Sequence, residues 1–92
     1  GKRATLEGLI RATEEYPEAQ MWSPEYRGKG GHPVIFAASL IPELRKHVHQ
    51  GARPVVQALG EKRIRLKVDD SAVLSDVDTP EDYQKFSSLY LS

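Results

Sequence analysis

The chain has 92 residues, which is enough for one domain with a modest hydrophobic core. Thirteen basic residues balance thirteen acidic ones, so the net charge gives no sign of nucleic-acid or membrane binding. The absence of cysteine excludes a disulfide scaffold and a thiolate metal site, and we expect a cytoplasmic protein. No apolar run approaches the length of a membrane-spanning helix.

The first third of the chain predicts one helix followed by short extended segments. Thr5 can cap a helix whose apolar positions recur at helical spacing and which ends before Pro17. A short strand is expected over residues 19–22, then a loop rich in glycine and charge over residues 23–31. A brief apolar run over residues 34–36 predicts the next strand.

The middle of the chain predicts two helices. Apolar residues at helical spacing indicate a helix over about residues 39–49, with Gly51 as its stop. Pro54 can start a shorter helix that Gly60 ends.

Further along, apolar and basic residues alternate. Ile64, Leu66 and Val68 are separated by single basic residues, which is typical of a strand with one solvated face. The cations of that face, at positions 63, 65 and 67, are candidates for contacting phosphate, although a solvated outer face is the commoner case. A turn over residues 69–71 leads into a predicted short strand over residues 73–78.

The acidic segment LSDVDTPEDY, residues 74–83, combines a helix start with two unexplained acids. Thr79 suits the N-cap and Pro80 the first helical position, and the acids that follow complement the helix dipole. Asp76 and Asp78 come before this cap. On a strand they would project from the same face and repel each other, unless a cation, a basic partner or open solvent lies nearby.

Mg²⁺ is one candidate for that cation, because it favours one or two carboxylates together with phosphate oxygens. A solvated turn is the other explanation for Asp76 and Asp78, and the spacing alone favours it.

The loop around Gly30, Gly31 and His32 is the second candidate site. Glycines let a backbone approach a ligand closely, and nearby Arg27 and Lys29 could neutralise phosphate. The loop matches neither the dinucleotide-binding nor the P-loop pattern, and such loops are more often plain surface loops.

The order of these segments resembles the C-terminal half of the nucleotidyltransferases related to those of molybdenum cofactor synthesis. The matching stretches are Gly-Gly-His-Pro-Val at residues 30–34, Gly-Ala-Arg at residues 51–53 and Asp-Val-Asp-Thr-Pro-Glu-Asp-Tyr at residues 76–83. The similarity covers roughly residues 4 to 90 and is closest to the cytidylyltransferase-like branch that acts on molybdopterin.

The resemblance implies a Rossmann-like α/β fold, with short strands and about four helices. It also implies transfer of a nucleoside monophosphate from CTP or GTP to a phosphorylated acceptor, with release of pyrophosphate. Asp78 would be a ligand of Mg²⁺ and Asp76 a neighbouring or water-mediated ligand, while Gly30, Gly31 and His32 would face the acceptor. The protein would act by positioning and charge neutralisation.

The family's glycine-rich nucleotide loop and its first metal-binding acid belong to an N-terminal half that residues 1–92 do not match. We therefore expect the chain to be the back part of a single nucleotidyltransferase domain, inactive by itself and prone to self-association through uncovered apolar faces. The alternative is a small independent binding module. Its basic strand is a candidate for binding nucleic acid, although zero net charge argues against that.

Overall fold

The computed structural model describes residues 2–47, 53–75 and 89–91. Within these ranges the chain is a mixed α/β domain, which confirms the predicted class. Its helices are α1 (Lys2–Glu15), α2 (Ile41–Lys46) and α3 (Arg53–Leu59). Its strands are β1 (Met21–Tyr26), β2 (Lys29–Gly30), β3 (Ile35–Ala37), β4 (Arg63–Lys67) and β5 (Leu89–Leu91).

Strand β1 is the centre of the sheet. On one side it pairs antiparallel with β2 and then with β3, and β3 in turn pairs antiparallel with β5. On its other side β1 pairs parallel with β4 along its length, with Trp22 opposite Ile64. In the described part of the chain β4 has β1 as its single strand neighbour, and no described strand pairs with its outer edge.

Helix α1 covers one face of the sheet. Leu6, Leu9 and Ala12 lie at helical spacing and pack with Trp22 and Ile35 in a buried cluster. The helix begins a turn before the predicted cap. Thr5 is buried inside the helix instead of capping it, because the helix already includes Lys2 to Ala4.

The opposite face carries the second core. Because neighbouring residues of a strand point to opposite faces, Ile35 faces α1 whereas Phe36 faces away from it. Phe36 packs with residues from α3 and from the turn before α2, among them Leu40, Val55 and Leu59. Helices on both faces of one sheet therefore give three layers. Trp22 and Phe36, the large aromatic residues of the two clusters, are both buried.

Several predicted boundaries are wrong in the described part, including the helix expected over about residues 39–49, which is α-helical over Ile41–Lys46. Residues 23–26, expected in a loop, continue β1. Residues 73 and 74, expected in a strand, belong to a 3₁₀ turn over Ser71–Leu74. The Asp70 carboxylate accepts a hydrogen bond of 2.9 Å from the Ala72 N–H, and this cap favours the turn over an extended chain.

Three α-helices are present in the described ranges where about four were predicted. The final predicted helix, together with Asp76 and Asp78, falls in residues 76–88, outside the described residues. Across the described residues, every helix is too short or too polar to cross a membrane.

Candidate functional site

The segment predicted as a glycine-rich loop is an ordered hairpin between β1 and β2. Arg27 and Gly28 form its tip, with φ values of 50° and 81°, as a two-residue type I′ turn requires. Tyr26 pairs with Lys29 across the hairpin. The guanidinium of Arg27 lies 5.2 Å from the centre of the Tyr26 ring, within the range of a cation–π contact. The turn chemistry fixes the direction in which Gly30 to His32 leave the sheet.

Gly31 and His32 are held by backbone hydrogen bonds to two different elements. The Gly31 N–H donates to the Pro24 carbonyl at 2.9 Å, and the His32 N–H donates to the Val73 carbonyl at 2.7 Å. Val73 is fully buried in the 3₁₀ turn. The loop is thus packed against the chain segment that leads towards the two acids.

This contact requires glycine at position 31. A Cβ atom built there would lie 2.4 Å from the Val73 carbonyl oxygen and 2.8 Å from a Val73 methyl carbon, well inside van der Waals contact. Gly31 is itself buried. The glycine therefore serves close packing between the loop and the 3₁₀ turn.

The central residue of the basic strand supports the same loop. The Arg65 guanidinium would lie 3.3 Å from a Cβ at Gly30, and it pairs with the Glu25 carboxylate at an N–O distance of 3.3 Å. The alternating pattern predicted a solvated basic face, and β4 has one. The alternating pattern does not predict that Arg65 reaches across β1 to the hairpin, because that contact depends on the parallel pairing of β4 with β1.

The candidate site therefore consists of Gly30, Gly31 and His32 packed on the turn over Ser71–Leu74, with Arg65 beside Gly30. The His32 side chain is half-buried, so its imidazole can reach a ligand at the surface. Arg63 lies apart from this site and donates from Nε to the Gly60 carbonyl at 3.3 Å.

No group of three or more histidine, aspartate or glutamate side chains that could hold a metal ion occurs in residues 2–47, 53–75 and 89–91. The metal assignment depends on Asp76 and Asp78, which lie outside the described residues.

No protein-family model matches the chain, and comparison with curated proteins and with solved structures gives no significant match.

Proposed function

We propose that this chain forms part of a nucleotidyltransferase that moves a nucleoside monophosphate from CTP or GTP to a phosphorylated acceptor, of which molybdopterin is the favoured candidate. The fold would then be the C-terminal part of a Rossmann-like domain. The observation that supports this proposal best is the hydrogen bond between the His32 N–H and the Val73 carbonyl.

That bond matters because it links the two segments that carry the resemblance. Val73 precedes Asp76 by three residues of chain, which span at most about 11 Å when fully extended. The connectivity supports a single site in which the loop of residues 30–32 and the two acids face the same ligand.

In this proposal each group has a limited task. The half-buried His32 imidazole and the backbone of Gly30 would orient the acceptor phosphate. Arg65 would hold Gly30 in place, since its guanidinium packs against that glycine and is anchored by Glu25. Mg²⁺, when held by Asp78 and Asp76, would neutralise phosphate charge. No covalent intermediate with the protein is needed, because phosphoryl transfer is accelerated mainly by positioning and electrostatics.

The experiment that tests this function uses the complete reading frame that encodes the chain. With CTP or GTP, Mg²⁺ and molybdopterin, we expect pyrophosphate release and a nucleotidylated product. Asp78→Ala should abolish the reaction, while Glu61→Ala, an exposed acid in the 3₁₀ turn after α3, should not change it. Activity of Asp78→Ala within about tenfold of the parent, equivalent to roughly 1.4 kcal/mol in the barrier, would refute the metal role.

The alternative function, a small binding module, makes a different prediction for the reading frame. A frame that starts near Gly1 and encodes no glycine-rich loop with Arg and Lys upstream would favour the module. A frame with such a loop about a hundred residues upstream, the distance expected for half of an α/β domain, would favour the enzyme.

A further inference from the structure

A groove runs along the outer edge of β4, with which no described strand pairs, and lies between that strand and α1. Its two adjoining parts have volumes of about 450 Å³ and about 320 Å³, and both are lined by Gly8, Arg11, Leu66 and Lys67. The first part continues to Tyr16 near the end of α1, and the second reaches the other end of the strand. An extended peptide segment lying in this groove would run alongside β4, as a further strand of the sheet does.

The backbone of β4 is oriented to accept that strand. The Val68 N–H donates to the Glu25 carbonyl at 2.9 Å, and Glu25 is in register with Lys67. In a parallel pair, alternate residues turn both backbone groups towards the same neighbour. The N–H and C=O groups of residues 63, 65 and 67 therefore face the groove, and no strand of the described part pairs with them.

Side chains along β4 indicate what sequence would fit. Ile64 and Leu66 turn towards α1 and pack on its cluster, whereas the basic side chains that alternate with them, Arg63, Arg65 and Lys67, are exposed on the other face. Arg65 is partly neutralised by Glu25, and Arg63 and Lys67 lie on either side of it. In a strand added beside β4, every second side chain would lie next to these basic residues. The side chains that alternate with them would lie next to Leu66 and α1.

A second copy of the chain fits this edge poorly. Antiparallel pairing of two β4 strands would set Arg63 opposite Lys67 and Arg65 opposite its own copy, and like charges directly opposite each other destabilise a sheet. We propose that the groove instead binds an extended segment of a partner protein in which acidic and apolar residues alternate, by adding it as a strand to β4.

The probe is a short acetylated peptide of alternating glutamate and valine, titrated into the ¹⁵N-labelled 92-residue chain. We expect amide shifts confined to β4 and the facing side of α1, and slower hydrogen exchange of the Arg65 N–H. A matched peptide of lysine and valine should bind at least about tenfold more weakly, because it would meet cations at every second position.

Two variants separate charge from backbone pairing. Lys67→Gln should weaken binding about threefold by loss of cross-strand charge pairing, while Lys46→Gln, an equal charge change on the exposed end of α2, should leave it unchanged. Lys67→Pro removes an N–H that faces the groove and should weaken binding about fivefold, since one backbone hydrogen bond is lost.

The proposal is overturned if the glutamate peptide causes no shifts at its highest soluble concentration or shifts residues elsewhere. It is equally overturned if the lysine peptide binds as well, or if single-stranded oligothymidylate binds β4 more tightly than the peptide. Protection of the Arg65 N–H in the peptide-free chain, together with a dimer at low salt, would identify the occupant as a second copy instead.

Discussion

The backbone N–H of His32 lies 2.7 Å from the carbonyl oxygen of Val73, and this hydrogen bond ties the glycine loop to the 3₁₀ turn over Ser71–Leu74. His32 follows a segment that was predicted as a loop and is a hairpin, and Val73 lies in a segment that was predicted as a strand and is a 3₁₀ turn. The proposal of a single site depends on this bond.

Gly31→Ala should destabilise the chain by roughly 1–3 kcal/mol, because the new Cβ would collide with the Val73 carbonyl, 2.4 Å away, and backbone must shift to relieve it. Thermal unfolding should show the midpoint falling by about 4–8 °C for each kcal/mol. The control is Gly8→Ala in α1, where the nearest atom, 3.0 Å from the Cβ, belongs to the flexible Leu66 side chain. That variant should be neutral or more stable, since alanine favours a helix over glycine by about 1 kcal/mol. Equal effects of the two substitutions would contradict the close packing at Gly31.

The Arg65–Glu25 pair should contribute only modestly to stability. Its side chains are 48% and 19% exposed, and partly solvated pairs typically contribute about 0.2–1 kcal/mol. A double-mutant cycle with Arg65→Ala and Glu25→Ala, followed by urea unfolding, measures the coupling energy. The pair between Lys46 and Glu43, which is more exposed, serves as the comparison and should couple less strongly. Raising the salt concentration should reduce both coupling energies. If the coupling energy between Arg65 and Glu25 does not change with salt, packing of the Arg65 guanidinium on Gly30 would be its main source.

The 92-residue chain should bind no nucleoside triphosphate tightly. The resemblance assigns the triphosphate loop to a part of the family that these residues do not match, and two carboxylates without phosphate ligands hold Mg²⁺ weakly. Calorimetry with Mg²⁺ and each ribonucleoside triphosphate checks this. A dissociation constant in the low micromolar range would reveal a complete nucleotide site within the chain, and the half-domain proposal would fail.

Self-association of the chain remains a prediction, and the structure leads us to expect that it is weaker than the sequence suggested. Leu6, Leu9 and Val55, which the half-domain hypothesis would leave uncovered, are buried in the two clusters. The exposed side chains of β4, those of Arg63, Arg65 and Lys67, are all positively charged. We therefore expect weak association that increases with ionic strength, because salt screens that repulsion. Sedimentation velocity at low and high salt measures it, and a dimer that is tightest at low salt would contradict this explanation.

The sequence was sufficient to predict the helices and strands that depend on residues close together along the chain. The apolar spacing of α1, the stop of α3 at Gly60 and the alternation in β4 were all sufficient to place those elements within a few residues. Strand β1 was predicted too short because the glycine and charge of residues 23–31 suggested a loop. In the sheet, the Pro24 carbonyl accepts from the Gly31 N–H and Pro24 lies opposite Leu66, which only the tertiary pairing reveals.

The candidate site was less predictable than the fold. The pattern identified Gly30, Gly31 and His32 as a possible site, but not why Gly31 is required, since the steric limit comes from Val73, a residue distant in sequence. The contact between Arg65 and Gly30 likewise depends on strand order. Such contacts follow from topology, which periodicity does not specify.

The central claim is that the loop of residues 30–32 and the acids Asp76 and Asp78 form one site, and paramagnetic relaxation by Mn²⁺ tests it most directly. In the ¹⁵N-labelled chain, Mn²⁺ should broaden the amide signals of Gly31, His32 and the turn over Ser71–Leu74 before others, and excess Mg²⁺ should reverse the effect. Asp78→Asn should abolish the broadening, while Glu61→Gln should leave it intact. Broadening that spares the loop, or that persists in Asp78→Asn, would contradict a shared metal site.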